Sequence, residues 1–172
     1  RMLDMGFSED ILRIIQALPK KRQTLLFSAT MPPRIRKMAE QILHNPKEVA
    51  IAISKPAEKI RQEFYAISNE QKIPMILDIM KNPEYQSVII FASTKEHVKQ
   101  LNTALRKAGL LTSAFHSDLE QSQREELMRD FKSKRTKVLV GTDVLSRGID
   151  VEGISLVVNF DVPPDPEDYI HR

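Results

Sequence analysis

Cysteine is absent from the 172-residue sequence, which excludes disulfides and any thiolate zinc site. The four histidines, His44, His97, His116 and His171, are scattered without ligand spacing, so no metal site held by protein side chains is expected. No apolar run approaches the ~20 residues a membrane helix needs, and nothing reads as a signal peptide. These absences point to a reducing, cytoplasmic setting with no membrane partner. Internal repeats and low-complexity tracts are missing as well. So is a phosphate-cradling loop of the form Gly-x-x-x-x-Gly-Lys-Ser/Thr. Only Gly148 and Gly153 have its spacing, Ile154 stands where lysine would be, and Asp150 and Glu152 would repel phosphate.

What is present describes a globular chain able to bury a real core, with 41% hydrophobic and 28% charged residues. The formal charge of +3 is small, so its distribution matters more than its sum. Residues 20–37 carry Lys20, Lys21, Arg22, Arg34, Arg36 and Lys37 with no acid, while Asp and Glu dominate after Thr142. Such a basic patch suits a phosphate backbone, though a solvated helix face is the commoner explanation.

Periodicity organises the chain. Ser8 is placed to cap a helix running to about Leu18 with Ile11, Leu12, Ile14 and Ile15 on its apolar face. Residues 23–27 read as a strand closed by Ser28-Ala29-Thr30. After Pro32 and Pro33, the spacing of Ile35, Met38, Ala39, Ile42 and Leu43 predicts a helix, and residues 48–53 a strand. The polar, proline-containing residues 54–59 break both periodicities and read as a linker between a first domain, 1–53, and a second, 60–172.

In the second domain the pattern predicts strands over 60–67, 87–92, 110–115, 137–140 and 156–160. It predicts helices over 70–81, from about residue 94 to Gly109, and over 121–132. Ser93 and Glu96 have capping-box spacing at the start of the middle helix. Strands alternating with helices argue for an α/β fold with a parallel sheet covered on both faces.

One stretch concentrates chemistry. Lys137-Val138-Leu139-Val140 reads as a buried strand, and Gly141-Thr142-Asp143-Val144-Leu145-Ser146-Arg147-Gly148-Ile149-Asp150 follows it directly. Ligands of open parallel sheets sit beyond the carboxyl ends of strands, so these polar groups stand where chemistry occurs. The plainer reading has Thr142 or Asp143 capping a helical turn and Asp143 pairing with Arg147 at i,i+4.

Thr-Asp-Val-x-x-Arg-Gly-Ile-Asp over residues 142–150 resembles motif V of the DEAD-box RNA helicases, and the resemblance runs through the whole chain. Residues 1–7 look like the segment that follows the Asp-Glu-Ala-Asp motif. Ser28-Ala29-Thr30 is similar to motif III, residues 88–94 to motif IV, Gln121-Ser122-Gln123-Arg124 to the Gln-x-x-Arg element, and His171-Arg172 to the start of motif VI. His116-Ser117-Asp118 departs from the family's usual His-Gly-Asp, which puts a tight glycine turn there in doubt.

The resemblance implies two RecA-like parallel-sheet domains, the first present only as its C-terminal part and the second truncated at motif VI. It implies interdomain coupling by Ser28 and Thr30, with His171 opening motif VI. Thr94, Gln121, Arg124 and Thr142 would hold RNA, and Gly148 and Asp150 would hold ATP. The cofactors implied are ATP and Mg2+, both bound mainly by segments this chain does not contain, and the partner implied is single-stranded or duplex RNA on a monomeric motor. A non-enzymatic RNA-binding module, an unrelated small-molecule α/β enzyme, and DNA in place of RNA remain open alternatives.

Overall fold

The structure is a computed structural model and describes residues 7–28, 31, 33–50, 60–146, 151–163, 168, 169 and 172. The chain separates into two compact units, Arg1–Lys55 and Pro56–Arg172.

The first unit contains helices α1 (Ser8–Ala17) and α2 (Pro33–Ile42). Ile35 and Met38, one turn apart on α2, are buried against Ile11 and Leu12 of α1. Phe7 rather than Ser8 occupies the N-cap position of α1. Residues 23–27 are not a strand, nor are 48–50, while 51–53 lie outside the described residues. A strand exists through ladder bonds to a neighbouring strand, and no described residue of this unit forms one. Leu25 and Phe27 accordingly stay 67% and 89% exposed. Within the basic stretch, Arg36 is tied to Glu48 by two bonds of 3.2 and 3.3 Å, which leaves less free positive charge than the sequence suggests.

Among the described residues the second unit is built on four parallel strands, β1 (Val88–Phe91), β2 (Thr112–Phe115), β3 (Val138–Gly141) and β4 (Leu156–Asn159), in the order β2-β3-β1-β4. Helices α3 (Asn69–Ile79), α4 (Lys95–Lys107), α5 (Gln121–Lys132) and the short α6 (Asp143–Ser146) connect and cover them. Successive side chains of a strand point to opposite faces, so β1 and β3 must supply two cores. Val88, Ile90, Val138 and Val140 pack with Ile76 and Met80 and with Val98, Leu101 and Leu105 of α4. Ile89, Phe91 and Leu139 pack on the other side with Phe115, Phe131 of α5 and Leu145 of α6. Both central strands are buried throughout, which is why they read as unbroken apolar runs.

Residues 60–67 are not a strand, and Ile60 and Phe64 are 60% and 83% exposed. No helix among the described residues is long and apolar enough to cross a membrane.

The helix ends explain how the loops are set. Capping at α4 lies one residue later than the Ser93–Glu96 spacing predicts: Thr94 is the N-cap, its Oγ1 accepting from the His97 amide at 3.1 Å. The Ser93 amide is instead drawn to the Asp161 carboxylate, which moves the helix start by one position. Helix α4 closes at Gly109, whose φ of 83° suits a residue without Cβ, with Gly109 N–H donating to Arg106 and Leu110 N–H to Leu105. Helix α5 opens with a reciprocal box between Glu120 and Gln123.

Candidate nucleic-acid interface

Every loop leaving the carboxyl edge of the sheet carries a polar group. Strand β2 leads to residues 116–120 and the start of α5 with Gln121 and Arg124, β3 leads to Thr142, β1 to Ser93 and Thr94, and β4 to Asp161. Because β2, β3 and β1 are neighbours in the sheet, the loops with Arg124, Thr142 and Thr94 leave three adjacent strands. Strands are spaced about 4.8 Å apart, so those three loops leave a strip of edge about 10 Å wide.

The predicted residues differ in how free they are. Thr94 is exposed, and its hydroxyl oxygen holds the α4 cap, which leaves the hydroxyl proton free of that bond. Gln121 is exposed and donates to Glu125 at 3.0 Å. Arg124 is half-buried, with Nη2 donating to the Ser117 carbonyl at 2.9 Å and a buried Nε that has no partner. Thr142 is half-buried, and its carbonyl accepts from Leu145 N–H at 2.8 Å to start α6. Ser28 is exposed in the first unit. Thr30, Gly148, Asp150 and His171 lie outside the described residues, as does Arg147.

The loop after β2 turns with Leu119 N–H donating to His116 O at 3.3 Å. Ser117 has no positive φ, so a serine fits where the helicase family usually has glycine. Lys95 at the start of α4 grips Asp118 at 3.1 Å, and this bond, opposed by slight desolvation, lowers the Asp118 carboxyl below its ordinary range. The turn after β2 is thereby tied to the helix after β1.

Two residues outside the predicted site set, Arg172 at the start of the motif VI resemblance and Asp161, organise this edge. The Arg172 side chain is 1% exposed; its Nε donates to Asp143 Oδ1 at 2.7 Å, and its Nη1 donates to Asn159 Oδ1 at 3.1 Å and to the Asp161 carbonyl at 2.8 Å. Its guanidinium also lies over the Phe91 ring at 5.3 Å. The described partner of Asp143 is therefore Arg172, while Arg147, the i,i+4 candidate, lies outside the described residues. A buried guanidinium requires such a set of acceptors, and the short α6 helix presents one of them.

Asp161 gathers three donors: Ser93 N–H at 2.9 Å, His97 Nδ1 at 2.9 Å and Lys72 Nζ at 2.9 Å. Burial pushes this carboxyl up, but the bonds from Ser93, His97 and Lys72 outweigh it and hold the group at about 2. Phe160 is flanked by the same two side chains, with the Lys72 ammonium 4.8 Å from its ring and His97 edge-on at 5.9 Å. The signal in the sequence was slight: a lone acid directly after an apolar strand.

Residues 71–172 match the helicase conserved C-terminal domain, and residues 1–39 match the DEAD/DEAH box helicase family. The chain belongs to the DEAD-box helicases. The DEAD-box ATP-dependent RNA helicase CshA of Streptococcus pneumoniae is 40% identical over 172 residues, covering 99% of this chain and 33% of that protein. CshA of Bacillus licheniformis is 43% identical over 175 residues, covering 99% of this chain and 35% of that protein. The chain thus spans about a third of the length of these curated relatives.

Among solved structures, Saccharomyces cerevisiae Dbp5 bound to RNA and ADP BeF3 matches with a TM-score of 0.85 and 33% identity, over 97% of this chain and 45% of that one. A DEAD box protein from the hyperthermophile Methanococcus jannaschii matches with a TM-score of 0.64 and 37% identity, over 99% of this chain and 46% of that one. The parallel sheet with helices on both faces is the RecA-like α/β fold of these DEAD-box structures.

Proposed function

We propose that this chain is part of an ATP-dependent RNA helicase, in which residues 1–53 close a first RecA-like domain, 54–59 link it to a second, and 60–172 supply most of that second domain. The reading is supported by family membership and by relatives that are themselves named ATP-dependent RNA helicases. The observation that carries it is the row of hydroxyl, amide and guanidinium groups on loops from adjacent strands of one sheet edge.

In this reading Thr94, Gln121, Arg124 and Thr142 grip the phosphates and riboses of a single strand, where hydroxyl donors and a guanidinium are the groups required. Gly148 and Asp150 face ATP, Ser28 and Thr30 link nucleotide state to the second domain, and His171 begins the segment that completes the nucleotide site. The motor acts as a monomer in the cytoplasm. Among the described residues no group of acidic or histidine side chains could hold a metal ion, and Asp118, Asp143 and Asp161 are each committed to cations. Magnesium does not fit these residues, and in this reading its carboxylates belong to the Asp-Glu-Ala-Asp motif, which these 172 residues do not include. The contribution of this chain is positioning: it orients RNA and transmits closure, with ATP cleavage assembled by other segments.

The experiment compares the full-length parent with the 172-residue chain. The parent is expected to hydrolyse ATP faster with single-stranded RNA and to separate a short duplex. Its RNA affinity should fall with salt at about −0.7 log units per log unit of salt for each phosphate held. The chain alone is expected to show no ATP turnover above background. Turnover by the chain would mean that these 172 residues hold a phosphate site of their own, and a parent without RNA-stimulated ATPase would overturn the reading.

A further inference from the structure

We propose that Asp161 is a positioning residue of the helicase cycle, whose carboxylate sets the RNA-facing start of α4 while its backbone carbonyl braces the Arg172–Asp143 pair. The proposal rests on the helicase reading and assigns a division of labour within one residue.

On the carboxylate side, Oδ2 accepts from Ser93 N–H and from the His97 ring, both at 2.9 Å. Ser93 directly precedes Thr94 and His97 lies three residues after it, where its amide donates to the Thr94 hydroxyl at 3.1 Å. Thr94 is therefore held from both sides by a single carboxylate that is only 14% exposed. Lys72 of α3 holds Oδ1 at 2.9 Å, and the Phe160 ring contacts both side-chain donors, with the Lys72 ammonium 4.8 Å from its centroid and His97 edge-on at 5.9 Å. On the carbonyl side, Asp161 O accepts from Arg172 Nη1 at 2.8 Å, and the same guanidinium binds Asp143 directly after Thr142. The loop after β4 thus carries a residue that touches the loop after β1 through its side chain and the loop after β3 through its main chain and Arg172.

A side-chain substitution separates the two roles, because it removes the carboxylate and leaves the carbonyl. Asparagine keeps one acceptor oxygen but turns an NH2 toward donors, so at least one of the three bonds is lost. Loss of a hydrogen bond to a charged group predicts that Asp161→Asn in the full-length parent raises the RNA concentration for half-maximal ATPase about tenfold. The KM for ATP should stay within about twofold and the rate at saturating RNA should be unchanged, since the effect lies in RNA binding alone. His97→Phe, which keeps a ring against Phe160 and removes the donor, should raise the RNA requirement by a smaller factor, about threefold. It also supplies the test should Asp161→Asn fail to fold.

A domain that was merely loosened would shift RNA and ATP parameters together. Equal changes in both, or an RNA requirement unchanged in a folded Asp161→Asn or His97→Phe parent, would overturn the proposal while RNA-stimulated ATPase in the wild type left the helicase reading standing. A wild-type parent without RNA stimulation would overturn both.

Discussion

Replacing Gly141 with alanine tests the packing that sets the start of motif V. Gly141 ends β3 opposite Phe91 and Phe115, and its carbonyl accepts from Ala92 N–H at 2.9 Å. A Cβ added there would lie 2.7 Å from Leu145 Cδ2, 2.9 Å from Leu145 Cβ and 3.0 Å from the Phe115 carbonyl oxygen. Carbon atoms prefer separations of about 3.5–4.0 Å, so α6 would have to shift outward by about 1 Å. Leu145 is 1% exposed and packed with Ile89, Phe91, Phe115, Phe131 and Leu139, so it has no free space to enter. Overpacking of this kind costs about 2 kcal/mol. For a unit of this size each kcal/mol moves the melting temperature by about 4 °C, so a drop of about 8 °C is expected. The φ of Gly141 is not left-handed, so the cost is steric rather than conformational.

Thermal and urea denaturation of Gly141→Ala, Leu145→Ala and the double variant isolate the cause. Removing the Leu145 branch relieves the nearest clash but leaves the contacts with its Cβ and the Phe115 carbonyl. The alanine should then cost about 1 kcal/mol less in the Leu145→Ala background than in wild type. Strictly additive costs, or a Gly141→Ala melting temperature within about 1 °C of wild type, would refute the close β3–α6 contact.

Three further outcomes are expected. Arg172→Met should destabilise the second unit by about 2–3 kcal/mol in urea denaturation, below the ~4 for a fully buried pair, because Asp143 is 37% exposed and can regain water; a loss under about 0.5 kcal/mol would contradict the buried network. The Asp161 carboxyl, held at about 2 in the fold, should contribute stability above pH 4 that is lost as pH falls through 4 toward 2. Asp161→Asn should flatten that part of the pH–stability curve by about 2 kcal/mol, and an unchanged slope would rule out the depressed carboxyl. Phe131→Ala, removing a ring that is 1% exposed, should cost about 3–5 kcal/mol in the same assay, whereas a cost under about 1 would place α5 off the sheet.

Much of the second unit was legible because its signals are local. The unbroken run of β1 and the spacing of Val98, Leu101 and Leu105 reflect side-chain direction along a few residues, and the structure buries all of them. The expectations that fail depend on neighbours. Residues 23–27 and 60–67 have strand-like composition, but no described strand pairs with them, and pairing rather than propensity makes a strand. The cap of α4 moved from Ser93 to Thr94 because a carboxylate 68 residues away in the sequence takes the Ser93 amide.

By itself, the order of residues determined an α/β class, a sheet covered on both faces and the helicase resemblance, since hydrophobic period and short motifs are properties of contiguous chain. Only tertiary structure decided that β3 lies between β2 and β1, that Asp161 reaches Ser93 and that Arg172 reaches Asp143. Those contacts join segments far apart along the chain, and their energies come from burial and hydrogen bonding that exist only after the strands have paired.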